Sequence, residues 1–440
     1  MRKLTKKSHM FLYGISGMGV NMINLMVGSY LCSALLIGGF SNSVLPYQTY
    51  AQKDLVILAL WSAFGVIAKI IDGIIDIPMA AFADNLNTRW GRRRPAILMG
   101  FIPMVIAYLL FLVVPDPSGA TLGNTVYYGI VLCIFYSFYT LTMVTYYATF
   151  TEIVETERDR NYISNVKAVC DIVYFIMGYV GVRAMLNGMN VRLVALIVLP
   201  ITLTMMIPFF LIREKGGEVS NKTEKVSLVD SLGKTMRNRP FVYWMVVYSF
   251  MQMGVQLFLA GINEYFSFTG MSMILVMMSS FAPVPLTLQI YNRIMKRKGF
   301  GMAIRYTLLS YSLSMFLLFI LGLQENGSLK NILSVVFGLI SSLSIGAIFS
   351  VAYSIPSQLA SDEGEKTGDT NSAMYFAVQG LFAGVSTGIG SYVILNALKG
   401  TGSSGSGAIV YMTLFSSILT LVSFAFTFML PKTVLRIGKE

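Results

Sequence analysis

The sequence has little charge and few of the residues that usually do chemistry. Only 12% of its 440 residues are Asp, Glu, Lys or Arg, against 55% hydrophobic. A soluble chain of this size needs a polar surface that so few charges cannot supply, so the composition excludes the soluble globular class and indicates an integral membrane protein. There is one histidine, His9, which excludes a histidine-based metal site or catalytic triad. Three cysteines, Cys32, Cys133 and Cys170, stand alone in apolar runs, and that spacing gives neither a disulfide framework nor a ligand set. Acidic residues are outnumbered, 21 against 33 Lys and Arg, for a net charge of +12. The excess cations sit in short loops between apolar runs, the distribution of topology signals and not of a nucleic-acid-binding face. No GxxxxGK[ST], HExxH, CxxC or GxSxG stretch is placed to work, so a membrane enzyme is the least supported class and no cofactor is expected.

What the sequence does have is long apolar runs. They predict about twelve membrane helices, over 10–38, 54–83, 95–114, 125–150, 162–186, 192–212, 241–268, 271–290, 301–323, 331–355, 372–398 and 408–430. Each approaches or exceeds the roughly 20 residues that a bilayer crossing needs. The first run follows MRKLTKKS and is about twice the length of a signal-peptide core, so a retained helix is expected. It carries Gly14, Gly17, Gly19 and Gly28 with Asn21 and Asn24, residues that let helices approach closely or need polar partners in lipid. The loops placed inside hold Arg89 and Arg92 to Arg94, Arg158 and Arg160, the cations from Arg213 to Arg239, and Arg293 with Lys296 to Lys298. Those placed outside hold scattered cations such as Lys53, Lys330 and Lys399. The asymmetry puts both termini in the cytoplasm. The longest polar stretch divides the chain into a bundle at 1–213, a cytoplasmic linker at 214–239 and a bundle at 240–440. NRIMKRKG at 292–299 is a degraded copy of 84–91, and repeated halves are how many secondary transporters are built.

The stretch 68–95 reads AKIIDGIIDIPMAAFADNLNTRWGRRRP. Lys69, Asp72 and Asp76 lie in an otherwise apolar run, where each ionised group costs roughly 2.5–3.5 kcal/mol on the lenient insertion scale. Their i, i+3, i+7 spacing returns them to one face of a helix. Carboxylates four residues apart can converge on one hard monovalent cation. Lys69 leaves the cluster near minus one, a charge that one Na⁺ or one proton would neutralise. The plainer reading is a buried Lys–Asp pair that fixes packing, which leaves the second aspartate unexplained.

Twelve helices in two halves with a basic loop after helices 2 and 8 resemble the major facilitator superfamily. KxxDxxxD followed by DxxxxRWGRRRP is similar, more narrowly, to the glycoside-pentoside-hexuronide:cation symporters, the family of the melibiose carrier. Tyr139 and Thr140 in helix 4 and EKTG at 365–368 add to the likeness, and GRRRP also resembles sucrose transporters. The resemblance implies two pseudo-symmetric six-helix bundles and cation-coupled sugar symport by alternating access. It implies that Asp72 and Asp76 hold the cation, with Thr140 a further oxygen, and that Asp84, Arg89, Gly91, Arg92 and Arg93 brace a cytoplasmic gate. A topology signal alone is the plainer reading of that loop.

The substrate is where the sequence departs from the family. Asn21 stands at or near the expected helix-1 aspartate, no carboxylate lies at 143–145, the stretch after Gln379 reads GLFAG, and Gln358 and Thr370 replace the frequent Asp and Arg. Galactoside specificity therefore does not carry over. Candidates for contact with a polyhydroxylated substrate are Lys69, Asn21, Tyr139, Thr142, Tyr146, Tyr147, Asp171, Gln256 and Gln379, with Thr145, Thr149, Gln252, Asn263 and Glu264 beside them. Aromatic faces, amides and hydroxyls suit such a ligand, and they suit helix packing equally. Lys167 and Asp171 are i, i+4 and read either as a self-neutralising pair or as part of the charged cluster. A lysolipid or other amphiphile transporter and a drug or peptide exporter are the alternatives on the same fold. The expected setting is a multi-pass location in a bacterial inner membrane.

Overall fold

The computed structural model describes residues 4–38, 40, 45–86, 88–153, 157–212, 233, 235–324, 327–367, 372–400 and 407–437. Residues 214–232 of the expected linker, Thr370, Gly368, and the side chains of Asp84, Arg158, Arg160 and of the rest of EKTG lie outside that description. Among the described residues the secondary structure is helical, save an isolated bridge between Thr88 and Gly91.

The first six membrane helices are α1 (Lys7–Leu35), α2 (Leu58–Asn85), α3 (Arg93–Phe111), α4 (Leu122–Glu152), α5 (Glu157–Ile176, continued by a π turn and Val182–Leu186) and α6 (Val191–Leu211). The next six are α7 (Arg239–Thr269), α8 (Met273–Phe281 with Val284–Lys298), α9 (Phe300–Gly322), α10 (Gly327–Thr367), α11 (Ser372–Gly388, continued by a π turn and Leu395–Lys399) and α12 (Gly407–Met429). Among the described residues eleven are long and apolar enough to cross a membrane, and the two pieces of α8, bent by 43°, bring the number to twelve when counted as one span. The sequence predicts α8 as one straight run. It breaks because Pro283 and Pro285 each remove a backbone donor where the helix would continue.

The chain forms an all-α membrane protein with two compact units, α1–α6 and α7–α12. In the first, α1 packs on α5 and α6, and α4 packs on α2 and α3. In the second, α7 packs on α11 and α12, and α10 packs on α8 and α9. Shifted by six helices, the two patterns coincide. Gly38 and Phe40 follow α1 in sequence yet belong with the second unit. A Cβ on Gly38 would lie 2.5 Å from the carbonyl oxygen of Lys399.

Helices in lipid gain nothing from hydrophobic burial against one another, so they associate through close packing and hydrogen bonds. The closest approaches recur at matching pairs. A Cβ on Gly19 of α1 would sit 2.0 Å from the Ile201 carbonyl oxygen of α6, and one on Gly254 of α7 would sit 2.9 Å from the Ser416 oxygen of α12. A Cβ on Gly129 of α4 would overlap the Phe64 ring of α2, and one on Gly338 of α10 would overlap Ser279 of α8. Polar side chains at these seams bond to main chain, as Ser416 does to the Gly254 carbonyl at 2.7 Å.

Gly19→Val forces α1 and α6 apart, and overpacking of this kind costs about 1–3 kcal/mol. The thermal midpoint of the detergent-purified protein should fall by several degrees, while Gly181→Ala, with nothing within 4 Å, leaves it unchanged. Equal midpoints for both variants would contradict the α1–α6 seam.

Candidate functional site

The site grows from α2. Its apolar residues carry the helix through the bilayer, and Lys69 and Asp72 face α4. Lys69 Nζ lies 3.2 Å from Asp72 Oδ2. Thr140 of α4 donates from Oγ1 to Asp72 Oδ1 at 2.8 Å. Both carboxylate oxygens of Asp72 are therefore engaged. Lys69 Nζ also lies 3.5 Å from the centroid of the Tyr136 ring, one turn before Thr140. Asp76, half-buried one turn beyond Asp72, has no hydrogen bond or ion pair among the described residues. The cluster thus offers one committed carboxylate, one uncommitted carboxylate and a hydroxyl with free lone pairs, the hard oxygen set that a monovalent cation or a proton would use.

On the α1 side, Tyr139, next to Thr140 in α4, donates to Asn21 Oδ1 at 3.2 Å and stacks on Phe135, a second polar contact that ties α4 to α1 as the Asp72–Thr140 bond ties it to α2. Tyr146 is fully buried and exchanges hydrogen bonds with Tyr13, each hydroxyl reaching the other's carbonyl at 2.8 and 2.9 Å. Thr142 is fully buried, bonds to the Phe138 carbonyl, and abuts Gly100 of α3. These two side chains are engaged in helix packing. Tyr147 is 40% exposed, with the Lys167 ammonium 5.4 Å from its ring. Lys167 and Asp171 form a 2.6 Å pair.

In the second unit, Gln379 is buried and accepts from Trp244 Nε1 at 3.1 Å. Gln256 is half-buried on α7, and Gln252 donates to Tyr248. Lys399, expected in an exposed outer loop, is instead 1% exposed and bonded at 2.8 Å to Glu264, itself 0% exposed. The Phe40 ring lies 5.0 Å from the same ammonium. Nothing local in the sequence announces this pair, whose members stand 135 residues apart.

The loop between α2 and α3 is a tight turn. Gly91 has φ of 91°, its N–H bonds to the Thr88 carbonyl, and Thr88 Oγ1 donates to the Gly91 carbonyl at 2.7 Å. Only glycine adopts that φ without strain. Gly299, which ends the degraded copy, has φ of 85°. Arg89 is exposed beside Trp90, Arg92 is half-buried and Arg93 is 4% exposed. Arg94, the last of that run of arginines, donates from Nε to the Phe209 carbonyl of α6 at 2.8 Å and lies 4.5 Å from that ring. Arg305 does the same for α12, bonding to the Thr427 hydroxyl and carbonyl and lying 4.2 Å from Phe428.

Residues 12–431 match the family described as MFS/sugar transport protein. The chain belongs to that family. A 130-residue stretch of this family member is 28% identical to the lactose permease of Lactobacillus helveticus, covering 29% of this chain and 20% of that protein. A 126-residue stretch is 29% identical to an uncharacterized symporter of Synechocystis sp., covering 27% and 23%. The matches thus span about a fifth to a quarter of those relatives' length. By structure it is similar to the nucleoside transporter NupG, with a TM-score of 0.57 and 15% identity over 96% of this chain and 99% of that one. It is also similar to an inward-facing, unoccupied bacterial homolog of the human lysosomal transporter Spinster, with a TM-score of 0.61 and 11% identity over 99% of each. These neighbours show the major facilitator fold. The family is one of transporters and not of enzymes, and its substrates are small molecules.

Removing one partner of a buried ion pair typically costs about 3–5 kcal/mol, while replacing both with apolar groups is close to neutral. Lys399→Met should therefore lower the thermal midpoint markedly, and adding Glu264→Met should restore most of the loss. A single variant as stable as the parent would contradict the burial of the pair.

Proposed function

We propose that this sugar-transport family member is a cation-coupled symporter of a sugar or glycoside, working by alternating access. The observation that carries the reading is the α2 cluster: Asp72 is held by Lys69 and Thr140, while Asp76 stands beside it without a partner among the described residues. An uncommitted carboxylate inside a membrane helix is costly unless something binds it. A Na⁺ or a proton at Asp76, with Asp72 and Thr140 as further oxygens, removes that cost and supplies the differential affinity that drives a population shift. Repeated bundles are the usual architecture for alternating access. The 214–239 stretch is the linker between them in this reading. The turn at Thr88–Gly91, tied to α6 through Arg94, serves as the brace of the cytoplasmic gate, with Asp84, Arg89, Gly91, Arg92 and Arg93. Basic loops support cytoplasmic termini, and the lack of disulfide spacing supports a bacterial inner membrane.

In the first unit, substrate contact falls to Asn21 and Tyr139, with Tyr147 and Asp171 on its partly exposed wall; in the second unit Gln256 is the candidate. An amphiphile such as a lysolipid is the second reading. It is favoured by an apolar cavity in the second unit lined by Val255, Phe258, Met277, Phe281, Met315 and Phe337.

Asp76→Asn should abolish concentrative, cation-driven uptake into proteoliposomes and leave counterflow exchange of the substrate measurable. The substrate is first found by screening glycosides and lysolipids for binding with and without Na⁺ at two pH values. Normal accumulation by Asp76→Asn would remove the cation site. Binding of a lysolipid and of no glycoside would replace the sugar by an amphiphile.

A further inference from the structure

Arg305, in the second turn of α9, carries a charge that no carboxylate cancels among the described residues. Its Nε donates to Thr427 Oγ1 at 3.1 Å, its Nη2 donates to the Thr427 carbonyl at 3.2 Å, and the Phe428 ring lies 4.2 Å away. These neutral partners hold the half-buried guanidinium in place and leave its full charge and its Nη1 group over. The chain brings three more cations to the same edge. Beyond Pro431 a short helix, Lys432–Leu435, folds back over the start of α9. The Ile437 carbonyl accepts from the Phe300 N–H at 3.0 Å, and a Cβ on Gly299 would lie 3.4 Å from the Cα of Arg436. Lys298, Lys432 and Arg436 are exposed there, and none of their side chains has a hydrogen bond or ion pair among the described residues. Neither 291–310 nor 427–437 contains an aspartate or a glutamate. Next to these cations the chain exposes apolar surface: Phe428 is 63% exposed and Met429 55%.

We propose that this edge of the second unit binds an anionic phospholipid, its phosphate held by Arg305, Lys298, Lys432 and Arg436 and its acyl chains laid over Phe428 and Met429. A topology signal accounts for positive charge near the end of a span. It does not account for a C-terminal segment that packs back onto α9 and gathers like charges that repel one another. An anion among them removes that repulsion, and a guanidinium and ammonium groups are the side chains that phosphate oxygens accept from most strongly. The exposed Phe428 and Met429 select a ligand that joins an anion to hydrocarbon, so a lipid fits this edge better than a free phosphate. The site also lies where α9 begins and α12 ends, the depth at which headgroups meet basic residues between membrane helices.

Native mass spectrometry of the intact, detergent-purified protein, titrated with phosphatidylglycerol or with phosphatidylcholine of the same acyl chains, gives the two dissociation constants. The parent should bind its first phosphatidylglycerol about tenfold more tightly than phosphatidylcholine. The triple variant Lys298→Ala, Lys432→Ala, Arg436→Ala changes exposed side chains only and should bring the two lipids to within about twofold of each other. A control triple, Lys6→Ala, Lys7→Ala, Arg237→Ala, removes the same charge from other exposed positions and should keep the parent's preference. Arg305→Gln should lose as much of the preference as the first triple. If gel filtration shows that Arg305→Gln has not folded, the two triples carry the test. Equal loss in both triples would make the preference a matter of net charge and overturn the site, as would a parent that does not distinguish the lipids. Displacement of phosphatidylglycerol by inorganic phosphate, with the same loss in the first triple, would make this a free-anion site and overturn the lipid assignment.

Discussion

An ionised side chain in hydrocarbon must be matched or used, and the whole chain is arranged around that constraint. Lys399 is matched by Glu264 in a fully buried pair. Lys167 is matched by Asp171, and Lys69 by Asp72 and an aromatic face. Arg94 and Arg305 spend their guanidinium groups on main-chain oxygens and the rings beside them. Against that consistency, a carboxylate with no described partner stands out. In the symport reading Asp76 is the group left for a mobile charge.

The repeated contact pattern explains how so polar a cluster sits in so apolar a chain. Each unit closes its own seams with glycines that bring backbones within reach and with serine and threonine hydroxyls that return to main-chain carbonyls. Little side-chain volume is needed there. Larger aromatics stand instead beside the cations, Tyr136 at Lys69, Phe209 at Arg94 and Phe428 at Arg305.

Much of this was legible in the sequence because it is local. The α2 charges are neighbours on one helix, so spacing alone gave their common face, and the prolines that break α8 could have been read as a break. Helix ends were less legible: hydropathy marks where the membrane ends, and α10 continues to Thr367, well past its apolar run. Contacts between distant segments were not legible at all. Family resemblance pointed to Thr140 only as a further oxygen, while its bond to Asp72, the pairing of Lys399 with Glu264, the Arg94 clamp on Phe209 and the place of Tyr136 beside Lys69 depend on how helices meet. For Tyr136 a faint signal existed, since it precedes Thr140 by one turn on the same face.

The segment at Gly38 and Phe40 has a consequence for biogenesis. It leaves the ribosome directly after the first helix, yet its packing partner is the end of α11, roughly 360 residues later, and at about 5–20 residues per second that interval is on the order of tens of seconds. Throughout it, the first unit can close its glycine seams, while this short strap waits with its docking surface not yet made. A contact begun just after the first membrane helix is thus completed only once α11 has been made, and the burial of Lys399 needs both segments in place.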